Sequence, residues 1–161
     1  MTTVGNLCRT LIAPVRLKTA LADAGISKMF SSRSVLFRAG GKNTGVFLLC
    51  SGLVRLEVPG IPQLSRTFSA GSVLGLPSTF SEKPYSLTAI SETEIKVVDV
   101  SKKKFLDLMR AETELCREAT DILSREVTFI MSALRGQRSA VASETGPVTA
   151  AHSVRRRVVN G

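Results

Sequence analysis

Val46-Phe47-Leu48-Leu49-Cys50-Ser51-Gly52-Leu53-Val54-Arg55-Leu56-Glu57-Val58 is the stretch that decides the fold. Its first five residues form a short apolar run, Ser51-Gly52 interrupts it, and Leu53 to Val58 alternates apolar with polar. Alternation at period two places successive side chains on opposite faces of a strand, so the second half reads as a half-buried strand. Glycine tolerates the positive φ of a tight turn, which fits Gly52 as the link between the two halves. Working outward, residues 34–38, 66–68, 86–90 and 94–100 are further short strand-like runs, punctuated by Gly40-Gly41, Gly45, Gly60, Gly71 and Gly75. Short strands this close together predict a sandwich or rolled barrel, mainly β with flanking helices.

The flanks have a different period. Leu17, Ala20, Leu21 and Ala24 recur at helical spacing before Gly25, which predicts a short helix that follows Pro14. Ser101 reads as an N-cap for a helix over 102–109, and a second, longer helix is expected from about 113 to 134. Leu108, Leu115, Ile122 and Phe129 recur every seven residues, as do Leu123 and Ile130, and Val127 and Leu134. Such a seam either packs on the strands of its own chain or meets a second copy. Its breadth favours a homodimer, with Leu115, Ile122, Leu123, Phe129 and Ile130 as interface candidates. The organisation expected is an N-terminal helical segment (1–30), a β-roll (31–110), a C-terminal helix (111–135) and a disordered basic tail (136–161).

Composition narrows the function. A chain of 161 residues suits one domain, and 43% hydrophobic residues suffice for a core. No run approaches the roughly 18 apolar residues of a membrane span, and basic residues interrupt the N-terminus where a signal peptide needs an apolar core. A cytoplasmic location is therefore expected, with no membrane partner. Cys8, Cys50 and Cys116 are odd in number and far apart, so they read as free thiols. The one histidine, His152, lies in the tail, and the strand region has none, which leaves no triad, metal centre or cupin-type chemistry to build. An enzyme is not expected. The net charge of +9 is dispersed apart from Lys102-Lys103-Lys104 and Arg155-Arg156-Arg157, and serves solubility more readily than nucleic-acid binding.

The run 35–41, the run 46–56, the Gly71-Ser72-Val73-Leu74-Gly75 segment and the stretch 89–105 together resemble the cyclic-nucleotide-binding domain of catabolite-activator (CRP/FNR-like) regulators. The resemblance covers about residues 15–134 and implies a double-stranded, jelly-roll-like β-roll followed by a long C-terminal helix. It also implies a phosphate-binding cassette after Gly75, where a helix N-terminus and an arginine hold the phosphate and a glutamate holds the ribose. Laid on this chain without a gap, the family's Gly-Glu falls on Gly75-Leu76, its Pro-Arg on Pro84-Tyr85 and its threonine on Thr88. Leu76 and Tyr85 replace the two signature polar groups, and Pro77 removes an N–H donor.

The candidate ligand-binding residues are thus Gly75, Leu76, Pro77, Ser78, Lys83, Tyr85, Ser86 and Thr88, with Lys83 the nearest substitute cation. Losing two charged hydrogen-bond partners costs about 3 kcal/mol or more, two orders of magnitude in affinity. No cofactor is expected, and family-standard cyclic nucleotide binding is not. Either the pocket takes a less charged small-molecule effector, or it is vestigial and the domain is a scaffold. The expected function is a non-enzymatic sensory module that signals through its C-terminal helix. The alternative is a transcriptional regulator of the same family whose helix-turn-helix is missing here, because the 26 residues after Arg135 have neither the length nor the periodicity for one. Direct sequence-specific DNA binding by this chain is not expected.

Overall fold

The computed structural model describes residues 12–129, 131, 132 and 135. They fall into two units, Met1–Glu126 and Val127–Gly161. In the second unit residues 127–129, 131, 132 and 135 are helical. The expected tail, 136–161, and Ile130 lie outside the described residues.

The first unit opens with helix α1 (Val15–Ala24) and continues through strands β1 (Ile26–Phe30), β2 (Val35–Phe37), β3 (Gly45–Ser51), β4 (Val54–Val58), β5 (Ile61–Phe68) and β6 (Val73–Leu74). Helix α2 (Leu76–Ser81), strands β7 (Thr88–Ser91) and β8 (Ile95–Ser101) and helix α3 (Lys102–Ala111) follow. A last helix, α4, begins at residue 113 and is continuous to the end of this unit. The strands make two antiparallel four-stranded sheets, in the orders β1-β8-β3-β6 and β2-β7-β4-β5. This is the mainly β, helix-flanked architecture expected from the sequence.

Pattern and position agree. In β3 the run Val46 to Leu49 is buried throughout: α1 and α3 pack on the strand, and Phe47 stacks on Phe37 of the second sheet, with ring centroids 5.9 Å apart. In β4 only Val54 and Leu56 point inward, while Arg55 reaches out to Glu57 and Glu92. Gly45, at φ +136°, sits where an added Cβ would stand 2.1 Å from the Val100 carbonyl oxygen, so the β3–β8 ladder closes only on glycine. Ser101 caps α3 as anticipated, its hydroxyl accepting from the Lys104 N–H at 3.2 Å.

Strand β1 lies within the stretch 1–30 expected as an N-terminal helical segment, just after the Gly25 stop of its helix. Four of its five side chains are exposed, so it carries no buried face for a sequence pattern to reveal. Its backbone pairing with β8, from Ile26 opposite Asp99 to Phe30 opposite Ile95, makes it a strand. The helical seam also divides. Leu115 and Ile122 are 2% and 1% exposed inside this chain's own core, together with Ala119. Two of the residues selected for a second copy are therefore already covered by the roll.

Candidate functional site

Gly75 ends β6 in the left-handed region (φ +85°) and turns the chain into α2. The turn sends Leu76 straight into the core, where it is fully buried. Thr79, one turn on, donates its hydroxyl hydrogen bond back toward the carbonyl oxygens of Gly75 (2.8 Å) and Gly45 (3.2 Å). This ties α2 to the start of β3.

Tyr85 follows the short loop after α2 and is 3% exposed. Its ring stacks on Phe37, with centroids 4.0 Å apart and planes at 16°. Its hydroxyl donates to the Gly45 carbonyl at 2.7 Å and accepts from the Thr44 and Gly45 N–H groups at 3.2 Å each. The side chain is a fixed part of the roll. It fills space and offers no charge.

Of the residues picked from the sequence, Gly75, Pro77, Ser78, Tyr85 and Ser86 line one small cavity. Its volume is about 10 Å³, the room of a single water. Ser78 Oγ accepts from the Ser86 N–H at 3.1 Å, which sews the end of α2 to the loop beyond it. Leu76, Lys83 and Thr88 stand elsewhere. Leu76 is core, Lys83 is exposed, and Thr88 accepts from the Ala39 N–H at 2.9 Å. The structure thus gathers five of the eight around one small cavity and leaves the substitute cation in solvent.

Two charged residues were not anticipated. Arg66 on β5 and Glu126 on α4 are each 4% exposed and face each other at 3.4 Å, Nη2 to Oε2. The Arg66 guanidinium carbon also lies 5.0 Å from the centroid of the Phe68 ring. Glu126 is itself part of the cavity wall. Burial pushes the Glu126 carboxyl above the ordinary glutamate range, and the positive charge of Arg66 opposes that shift. A signal for both existed. Arg66 sits between the inward Leu64 and Phe68 of β5, and Glu126 extends the Leu115–Ala119–Ile122 stripe by one turn. A charge in an apolar stripe marks a buried partner.

The arrangement amounts to a small cavity with mostly apolar walls, two serine residues and the Glu126 side chain, while Arg66 pairs with Glu126 from outside the lining. The family described as the cyclic nucleotide-binding domain matches residues 27–112. Sodium/hydrogen exchanger 7 of Arabidopsis thaliana is 29% identical over 123 residues, which is 71% of this chain and 11% of that protein. The catabolite activator protein of Thermus thermophilus superposes with a TM-score of 0.65 at 17% identity, over 78% of this chain and 60% of its own. A protein solved in work on a cyclic-GMP-dependent pathway regulating bacterial phytopathogenesis gives 0.62 at 16%, over 75% and 96%. Oxidized CprK in complex with o-chlorophenolacetic acid gives 0.62 at 13%, over 80% and 55%. The chain spans about a tenth of the exchanger's length.

Proposed function

This chain belongs to the cyclic nucleotide-binding domain family, and we propose that within it the chain is a non-enzymatic regulatory module whose cassette no longer holds a cyclic nucleotide. The observation that carries the reading is Tyr85. Where the family's phosphate-binding arginine belongs, the ring stacks on Phe37 and the hydroxyl is spent on Gly45. Leu76 removes the ribose carboxylate in the same way, and the remaining cavity of about 10 Å³ is far smaller than a nucleotide. CprK, solved with o-chlorophenolacetic acid, supports the idea that a pocket of this fold serves an effector other than a nucleotide. The exchanger, of which the matched part is 11%, supports reading the domain as a module that reports to something larger.

The output runs through α4, which touches the pocket at Glu126. The module works in the cytoplasm as a homodimer. With Leu115 and Ile122 buried in this chain's own core, the dimer stripe on α4 runs along the exposed Thr120 and the outer parts of the half-buried Cys116 and Leu123, and the same spacing continues in the sequence at Val127 and Ile130. Phe129 is exposed and remains a candidate.

Isothermal calorimetry with cyclic AMP and cyclic GMP, to millimolar ligand, tests the reading. No saturable heat is expected. Micromolar binding of either nucleotide would sink it. A second reading, the sensor part of a DNA-binding regulator, is favoured by the catabolite activator and CprK, whose chains this fold covers to only 60% and 55%. Sequence-selective retention of DNA fragments by the purified chain at physiological salt would move the conclusion there.

A further inference from the structure

We propose that the end of the roll where Lys42, Lys83 and Lys102 meet is a docking surface for an anionic lipid bilayer. The surface is separate from the cavity, so the inference stands whatever the cavity holds.

The three lysines are far apart in the sequence, and hydrogen bonds bring their segments together. Residues 38–44 link β2 to β3, residues 82–87 link α2 to β7, and Lys102 opens α3. The Gly40 N–H donates to the Tyr85 carbonyl at 2.7 Å, and the Tyr85 N–H to the Gly41 carbonyl at 3.1 Å. The Asn43 side-chain amide donates to the Lys83 carbonyl at 3.0 Å, and the Lys102 N–H to the Thr44 carbonyl at 2.9 Å. Lys42 therefore stands beside both contacts. Lys42 and Lys83 are exposed, Lys102 is half-buried, and the exposed Arg38 and Lys104 flank them. Lys83, expected to serve the cassette, belongs to this surface instead.

Among the described residues, none of these five cations is in an ion pair. Lys103 is paired with Asp107 at 2.9 Å, and Glu82, exposed beside Lys83, takes one charge from the sum. Helix α3 has no acidic residue in its first turn, so the positive end of its dipole adds to the lysines. Like charges gathered without counter-charges weaken the folded state, so stability does not account for them. Solubility is served by dispersed charge, and here the fold undoes the dispersal.

The side chains fit a bilayer better than other polyanions. Lysines are hydrated point charges on flexible stems and lack the planar fork that grips a fixed carboxylate or phosphate. No large apolar or aromatic side chain is exposed among them. That withholds the buried anchor of a protein interface and the stacking platform of single-stranded nucleic acid. Reading a duplex groove takes a helix or a two-stranded ribbon, and this end consists largely of loops. An anionic bilayer attracts a basic cluster with no fixed pattern of contacts. The expectation of no membrane partner rested on the lack of a spanning run and of a signal peptide. A surface contact needs neither.

Co-sedimentation of the full chain with lipid vesicles tests this. Vesicles of phosphatidylserine and phosphatidylcholine in equal parts are expected to retain the chain, and phosphatidylcholine alone is not. Retention is expected to vanish at about 1 M salt, where the screening length falls to about 3 Å. Each lysine at an anionic surface contributes about fivefold in partition, so Lys42→Gln/Lys83→Gln/Lys102→Gln is expected to lose about a hundredfold. Each single variant, should the triple one not fold, is expected to lose about fivefold. Lys18→Gln/Arg33→Gln/Lys96→Gln removes as much charge from elsewhere on the chain and is expected to lose under about tenfold. Equal losses in the two triple variants would mean that net charge alone is at work, and they overturn the inference. Failure of the unsubstituted chain to sediment with the anionic vesicles overturns it too. Retention by a DNA duplex of random sequence, with none by the vesicles, assigns the surface to nucleic acid and likewise overturns it. No cyclic nucleotide enters the assay, so none of these outcomes bears on the proposed function.

Discussion

Tyr85→Phe removes one oxygen atom from the centre of the roll, and the structure shows what that atom holds. The hydroxyl donates to the Gly45 carbonyl and accepts from the Thr44 and Gly45 N–H groups. Without it the Gly45 carbonyl keeps Thr79 Oγ1 at 3.2 Å, and the Gly45 N–H keeps Asn43 Oδ1 at 2.9 Å. Thr44 is exposed, so water can take its N–H. No buried group is orphaned, and the loss reduces to the net worth of the hydrogen bonds, about 1–2 kcal/mol. Urea unfolding followed by circular dichroism should show the midpoint lower by about 0.5–1 M with the slope unchanged. Tyr85→Ala also removes the ring stacked on Phe37 and should cost about 3–5 kcal/mol. If the phenylalanine variant has an unchanged midpoint, the hydroxyl faces solvent. Position 85 would then not belong to the core.

Four further outcomes are expected. Gly45→Ala should lose about 3 kcal/mol or more in the same urea assay, because its Cβ meets the Val100 carbonyl oxygen. Gly60→Ala, also at positive φ but with open space around it, should lose only about 1 kcal/mol. Comparing urea midpoints of Glu126→Gln and the unsubstituted chain at several pH values reads the buried carboxyl. Its raised value means that the folded chain keeps this proton when the unfolded chain has already released it. The unsubstituted chain should therefore lose stability relative to the variant as pH rises above about 4.3, and a constant difference would contradict the burial argument. In a Cys8→Ser/Cys50→Ser background, mild oxidation should link two chains through Cys116, because a parallel helix pair on that stripe brings the two Cα atoms within disulfide reach, about 4.4–6.8 Å. A chain that stays unlinked in a verified dimer places the two-fold axis elsewhere.

Residues with local causes were legible in the sequence. The buried run of β3, the alternation of β4 and the Ser101 cap each depend on neighbours in the chain, so pattern alone located them. β1 was missed because its stabilising partner is the β8 backbone some seventy residues away and its side chains look outward. The substitutions at Leu76 and Tyr85 could be read directly, but their destinations could not. Whether Tyr85 points into a pocket or onto Phe37 depends on β2 and β3 as much as on α2. The Arg66–Glu126 pair lay furthest from reach, since its members are 60 residues apart and meet only once α4 lies on the roll. Periodicity placed Leu115 and Ile122 on a common face of α4. It did not say that the roll would claim that face.

Strand β1 has a consequence for the protein at high concentration. It ends its sheet, with Ile26 and Met29 exposed on either side of Lys28. A terminal strand of this kind is a template on which another chain can hydrogen-bond, and a lysine in its middle is a common deterrent. Lys28 is tied to Asp99 on β8 at 2.7 Å, which keeps the charge beside the strand it protects. Two molecules that tried to zip together along β1 would bring two such ammonium groups into close quarters. One side chain thus sets a charge in the middle of an edge whose other side chains, Phe30 apart, face outward.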